Sequence, residues 1–273
     1  MISSFRNYLL AVFCFLTAGP VYGQTDTIFV DGSNGVRPLV VEVAEAFEQN
    51  FPNIVVIVGE GMGTSQRIEA LKNGTIDVAM ASHGIDIPYF TRQGLQVHWF
   101  AKMAIVIGVH KSVPLKKIST SALCAIYRRD IQDWRELGSV DLPIVPLARP
   151  MDEVDMEVLA EKVGCLPDPG EIEGLTLHQK SGPLARALAQ TPGAIGMTAA
   201  VRQVQAKGTI KALKIDGVYP SLRKVRKDQY PFQRNAYLIT EGLDDPVVKR
   251  FVQFFKTKTA KKVLARNAAV PAQ

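Results

Sequence analysis

Apolar residues in this chain alternate between short continuous runs and runs of helical spacing, the pattern of strands interleaved with amphipathic helices. Thr27 to Val30 reads as a strand, after which Val36, Leu39, Val40, Val43, Ala46 and Phe47 recur on one helical face. Pro38 is tolerated in the first turn of that helix, and Phe51-Pro52 ends it. Ile54 to Val58 is a second strand. A helix from Ser65 to Asn73, with Ile68 and Leu71 inward and Gly74 as its stop, leads to a third strand at Asp77 to Ala81. This βαβαβ order predicts a parallel sheet with right-handed crossovers.

A similar series then starts again. Met103 to Val109 is strongly apolar; Leu123, Ile126 and Tyr127 mark a helix, Pro143 to Ala148 a strand, and Val158, Leu159 and Val163 another helix. Strands at Ala194 to Met197 and Thr209 to Ile215 follow, with a helix at Leu184 to Ala189 before them. Ala236 to Ile239 would carry the chain back to the first series, where Val247, Val248, Phe251, Phe254 and Phe255 form a last amphipathic helix. The expected fold class is therefore α/β in two lobes, residues 24–103 plus 236–273 in lobe 1 and 104–235 in lobe 2. No repeat is evident at the level of residues.

The first residues are read as a targeting segment, not as fold. Arg6 supplies a basic n-region, Tyr8 to Leu16 an apolar h-region, and Val21-Tyr-Gly23 suits cleavage after Gly23. A membrane anchor would need about 20 apolar residues, and Gly19-Pro20 interrupts the run too early. Cys14 lacks the small-residue context of a lipoprotein signal, so the product is expected to be exported, soluble and not membrane-anchored. In that oxidising setting Cys124 and Cys165 either bridge or stay as two isolated buried thiols. His83, His98, His110 and His178 are too scattered for a local metal motif. Neither a metal nor a cofactor is expected.

The formal net charge of +6 over 273 residues suits an anionic ligand or simple solubility. Arg223 to Lys227 and Lys256 to Lys262 read as solvated faces. They lack the interleaved aromatics of a nucleic-acid platform, so nucleic acid is not an expected partner. Candidate chemistry lies instead in two glycine-rich loops, each leaving a strand and opening a helix, at Phe29 to Pro38 and Val58 to Gln66. Free N–H groups at a helix N-terminus, together with the helix dipole, can hold a small oxyanion.

Several runs resemble a known family in order and spacing. Gly61 to Ser82 has a Gly/Ser loop, a helix closing on Leu71-x-x-Gly74-x-x-Asp77 and a strand ending in serine; Leu123 to Trp134 is similar to an L-x-x-I-F-x-G-x-I-x-x-W element. Gln190 to Gly196, Lys211 to Val218 and Tyr230 to Arg234 complete the set. The chain resembles the phosphate-type substrate-binding proteins of ABC transporters, which have the type II periplasmic binding protein fold.

The resemblance implies a periplasmic protein whose two lobes close on a ligand held in the cleft, each lobe a mostly parallel sheet joined by crossover strands. It implies first-lobe ligand contacts at Ser33 and Asn34, then Gly63, Thr64 and Ser65, then Ser82. Read from the residues alone, Ser33, Asn34, Thr64 and Ser65 equally suit helix caps, and Ser82 a strand end. The implied partners are a small oxyanion, phosphate or an analogue, or another small polar ligand, and an ABC-transporter permease or a membrane sensor. The chain is expected to act as a monomer.

The second lobe departs from the pattern. Where the family has an arginine followed by Gly-Ser-Gly-Thr-Arg, this chain reads Arg149-Pro-Met-Asp-Glu-Val-Asp-Met156, with Glu157 next. A phosphate dianion about 4 Å from each carboxylate would be opposed by roughly 4 kcal/mol at an effective dielectric near 20. Two readings stay open. Asp152 and its acidic neighbours cap and complement the helix, or Asp152 or Asp155, paired with Arg149, reshapes the cleft for a ligand with a cationic or hydroxylated end. His83 could add a titrating donor or be a surface residue. A hydrolase is disfavoured, because there is no G-x-S-x-G elbow, no metal spacing and no histidine beside a candidate serine. An interaction or sensory module that has kept the fold and lost the ligand is the alternative to a solute receptor.

Overall fold

The computed structural model describes residues 25–82 and 84–273. The signal-peptide reading of residues 1–23, with that of Cys14, and the separate reading of His83 lie outside the described residues. The first series is β1 (Asp26–Gly32), α1 (Arg37–Asn50), β2 (Ile54–Val58), α2 (Thr64–Lys72), β3 (Val78–Ser82), α3 (Ile87–Arg92) and β4 (Gln96–His110). The second is β5 (Lys117–Ile118), α4 (Thr120–Tyr127), β6 (Val145–Ala148), α5 (Val154–Val163), β7 (Thr176–Leu177), α6 (Ser181–Gln190) and β8 (Ala194–Ala199). Then come α7 (Ala200–Gln205), β9 (Ile210–Ala212), β10 (Lys214–Ile215), α8 (Leu222–Arg226), β11 (Gln233–Thr240), α9 (Pro246–Phe254), α10 (Lys258–Arg266) and β12 (Ala269–Pro271).

The strands β2-β1-β3-β11-β4-β8-β6-β7 hydrogen-bond in that order, with β9 and β12 also paired to β4. Within the first lobe β1 runs parallel to β2 and β3, and within the second β6 runs parallel to β7 and β8. Both lobes therefore present the carboxyl ends of parallel strands, where ligands of open α/β sheets bind. One long strand joins them. The Gln96 to Ala104 half of β4 pairs antiparallel with β11, and its Ile105 to Val109 half pairs antiparallel with β8.

Burial follows that division. One apolar cluster gathers α1, β1, β2, α9 and α10 around Phe47 and Phe251, whose rings meet edge to face at 5.2 Å. A second gathers β4 from Ala104, α4, α5 and β8 around Tyr127 and Trp134, and two smaller clusters lie around Phe90 and around Leu184. Each fully buried aromatic contributes about 1.5–3 kcal/mol through removal of apolar surface from water. Helix α7 departs from the division, because its Val201 packs into the first cluster although its flanking strands belong to the second.

Three local expectations are corrected. The apolar strand at Met103 to Val109 begins earlier, at Gln96, because Gln96, His98 and Lys102 interrupt the apolar run while the backbone there still pairs with β11. The strand expected over Thr209 to Ile215 divides at Leu213, since β9 pairs with β4 while β10 turns to pair with β5. The lysine-rich run after Phe255 leads into a second C-terminal helix, α10, with Ala260, Val263 and Leu264 buried. The cysteine alternatives resolve as well. Cys124 on α4 and Cys165 after α5 form a disulfide with Cα atoms 5.8 Å apart.

Candidate functional site

The two glycine-rich loops are built as one unit. Asp31 Oδ1 accepts from the N–H of Gly32 at 2.6 Å and of Gly61 at 2.9 Å, so one carboxylate ties the loop after β1 to the loop after β2. Met62 N–H donates to the Gly32 carbonyl and Ser33 N–H to the Met80 carbonyl, each at 2.9 Å. Gly32 has φ +132°, and a Cβ there would strike the Met80 backbone. Only glycine allows this approach. Helix α2 then starts from Gly63, and its first-turn N–H groups face out of the loop without intrahelical partners.

These loops form one wall of a cavity of about 510 Å³, the size of a small-molecule site. Ser33, Asn34, Gly63 and Thr64 line it from the first lobe, and Arg149 and Asp152 face them from the second. A second chamber of about 300 Å³ adjoins it and shares Ser33, Thr64, Arg67 and Asp152 with it; Ser82 lines this one. The cap alternative fails for α1, whose cap position is held by Val36 with no side-chain cap bond. Asn34 lines the cavity, but its amide is engaged. Its Nδ2 donates to the Glu60 carbonyl at 2.7 Å, and its Oδ1 accepts from Arg202 at 3.2 Å and from Ser181 at 3.5 Å.

Two expected residues lie elsewhere. Ser65 lines a separate hollow with Ile68, Tyr89 and Phe90, because the turn of α2 carries it to the side away from Arg149. Asp155 is fully buried beneath the cleft, held by Arg234 at 2.6 Å and Arg149 at 3.5 Å. It is an internal counter-charge, not a cleft-lining group. Nor does Asp152 cap α5. Glu153 occupies the cap position, without a side-chain cap bond, and instead pairs with Arg149 at 2.5 Å. Burial pushes the Glu153 carboxyl up from its ordinary range, and the adjacent Arg149 opposes that shift.

The arginines carry most of the site's charge. Arg67, on α2 one turn after Gly63, is 7% exposed, and its Nε has no hydrogen-bond partner among the described residues. Its pKa is lowered by burial. Ser82 Oγ is likewise buried and unpartnered. Arg234 is buried, which lowers its pKa against the pull of Asp155, and its Nη2 donates to the Gly35 carbonyl at 3.0 Å. Arg202 on α7 is lowered to about 10 by burial and by the nearby Arg234, Arg37 and Arg186. Lys180 and Gln179, at the start of α6, complete the second-lobe wall.

Sequence reasoning overlooked Arg67, Gln179, Lys180, Arg202 and Arg234 as members of the site. Arg67 had a readable signal, since it lies on the first turns of a helix that opens from a glycine loop. Arg234 ends the Tyr230 to Arg234 run, but its pairing with Asp155 had no local signal, the two being 79 positions apart.

An arrangement of loop N–H groups, hydroxyls and buried guanidinium between two α/β lobes can hold a dehydrated oxyanion. Among the described residues, no cluster of His, Cys, Asp or Glu is arranged for a metal ion, and no helix is long and apolar enough to cross a membrane. Residues 18–258 match the model of a PBP superfamily domain. The chain belongs to this family. Within it, the phosphate-binding protein PstS of Bacillus subtilis is 30% identical over 246 residues, covering 88% of this chain and 79% of that one. Protein SphX of Synechococcus elongatus is 28% identical, covering 87% and 75%. The solved structure of a substrate-binding protein from Clostridium perfringens with bound phosphate has a TM-score of 0.76 at 22% identity, over 91% of this chain and 100% of that one. The fold is the two-lobed type II architecture of periplasmic binding proteins, and the family consists of substrate-binding proteins, not enzymes.

Proposed function

We propose that this chain is an exported solute receptor that captures a small oxyanion of the phosphate class between its lobes in the periplasm and presents it to an ABC-transporter permease. The observation that carries this reading is Arg67, a guanidinium with a buried, unpartnered Nε among the loop N–H groups and hydroxyls of Ser33, Thr64 and Ser82. A buried ionic donor left unpaired is costly unless a ligand supplies the acceptor. The phosphate-binding protein that the Bacillus subtilis relative is named for supports the ligand class.

Titration calorimetry with inorganic phosphate, sulfate and a simple alkylphosphonate tests it. Binding of at least one phosphorus oxyanion, lost on Arg67→Met, is the expected result. A second reading rests on Arg149, whose charge is already balanced by Glu153 and Asp155. It makes the chain a sensory or interaction module that kept the fold without the ligand. Native mass spectrometry giving a bare polypeptide mass, together with no heat from any oxyanion, would favour that reading.

A further inference from the structure

We infer that the cleft is built for a bipartite ligand, a phosphoryl or phosphonyl group joined by a short linker to a cationic amine. The inference rests on the oxyanion reading of the cleft and specifies its ligand. Two adjoining chambers, of about 510 and 300 Å³, give more room than one tetrahedral oxyanion fills. Within the smaller one the charges are segregated between its two walls. The smaller chamber has on its first-lobe wall the two buried, unpartnered groups Arg67 Nε and Ser82 Oγ, with 7% and 3% of their residues exposed. Donors of that kind, sealed from water, call for an anionic acceptor.

The facing wall of the same chamber calls for the opposite charge. Asp152 and Glu157 line it, and neither carboxylate has a hydrogen bond or ion pair within the described residues. Glu157 reaches across toward the first lobe, its Oε2 lying 3.9 Å from where a Cβ on Gly84 would stand. Asp86 adds a third carboxylate at the rim, one oxygen of which accepts from Tyr89 N–H. Arg67 is the one cationic side chain among the described residues that line this chamber. Lys180 lines the larger chamber alone, and Arg149 is spent on Glu153 and Asp155.

A free phosphate dianion seated on Arg67 and Ser82 therefore faces carboxylates that have no cationic partner among the described residues. An ammonium tethered to that phosphate satisfies them. Tyr89, 49% exposed at the same rim, offers an aromatic face to a cation.

The test is calorimetry with four probes: inorganic phosphate, ethylphosphonate, 2-aminoethylphosphonate and phosphoethanolamine. The amine-bearing probes are expected to bind about tenfold or more tighter than ethylphosphonate, the yield of one charge-assisted hydrogen bond. Comparison of the two amine-bearing probes with each other separates a phosphonate from a phosphate ester. In the double variant Asp152→Asn, Glu157→Gln, ethylphosphonate should bind more tightly and the amine preference should disappear; circular dichroism checks that the fold is retained. Binding of phosphate or ethylphosphonate with no gain from the amine overturns the inference and leaves the oxyanion reading standing. A preference that survives the double variant overturns it too. Binding of none of the four overturns both.

Discussion

Arg234 donates from Nη1 to Asp155 Oδ1 at 2.6 Å, with both side chains sealed from solvent. The pair joins β11, which returns the chain to the first lobe, to the opening turn of α5 in the second. Asp155 also faces Arg149, which Glu153 pairs from its other side, so the Asp155 carboxylate is shared between two buried guanidinium groups. Removing one partner of such a group leaves a buried charge uncompensated, at a cost of about 3–5 kcal/mol. Asp155→Ala is therefore expected to lower the urea unfolding free energy by that amount. A loss under about 1 kcal/mol would mean that water or a shifted side chain replaces the pair.

Arg202 binds the first lobe from the second. Its Nη2 donates to the Asn34 carbonyl at 3.3 Å and to Asn34 Oδ1 at 3.2 Å, and Arg234 reinforces the contact through the Gly35 carbonyl. On the reading that the two lobes close on a ligand, these bonds favour the closed arrangement. Arg202→Ala removes two bonds to Asn34, each worth about 0.5–1.5 kcal/mol net. Small-angle scattering of the variant should show a larger radius of gyration without ligand, and affinity for the cleft ligand should fall about tenfold. An unchanged scattering curve would assign Arg202 to packing.

Why the pairing of Asp155 with Arg234 and the role of Arg202 escaped the sequence reading is a matter of distance along the chain. The strands and helices of the first lobe were legible because β1 to β3 alternate with helices whose apolar spacing, proline and glycine signals act within a few residues of each other. The glycine loops were legible for the same reason, since Gly32 and Gly63 lie at strand ends that open helices. Charge partners obey no such local rule. Asp155, six positions from Arg149, is legible as a helix first-turn acid or as a partner of that arginine, but only the return of β11 brings Arg234 onto it. α10 was hidden because its lysines outweigh the apolar stripe of Ala260, Val263 and Leu264.

The Cys124 to Cys165 bridge fixes the far end of α5, whose near end carries Glu153 and Asp155 beneath the cleft. Closing a loop over a sequence separation of 41 restricts the unfolded chain, and the chain-entropy model puts the gain at about 4 kcal/mol. Reduction, or Cys124→Ser with Cys165→Ser, should lower the unfolding free energy by about 2–4 kcal/mol. If α5 also depends on the bridge for its position, ligand affinity falls under reduction at temperatures where the protein is still folded. Stability lost with affinity retained would confine the bridge to the fold.

Acid should weaken the protein through its histidines. His110 Nδ1 accepts from the Ser112 N–H at 3.2 Å, which requires an unprotonated nitrogen, and the Ser112 hydroxyl lies 2.9 Å from the same atom. Burial, with Lys111 and Lys211 nearby, holds the His110 pKa below its ordinary value of 6.5. His98, beside Thr240, and His178 are lowered as well, both chiefly by burial. A histidine with a depressed folded pKa binds protons more readily when unfolded, so stability rises with pH through that window. The contribution is fully present above about pH 6.5 and is lost as pH falls through the depressed values. Thermal unfolding followed from pH 8 downward should therefore give a flat melting temperature until about pH 7 and a decline below it. His110→Gln keeps an acceptor near Ser112 and cannot titrate, so its decline should be shallower than that of the parent protein. A decline of equal steepness would assign the acid sensitivity to groups other than His110.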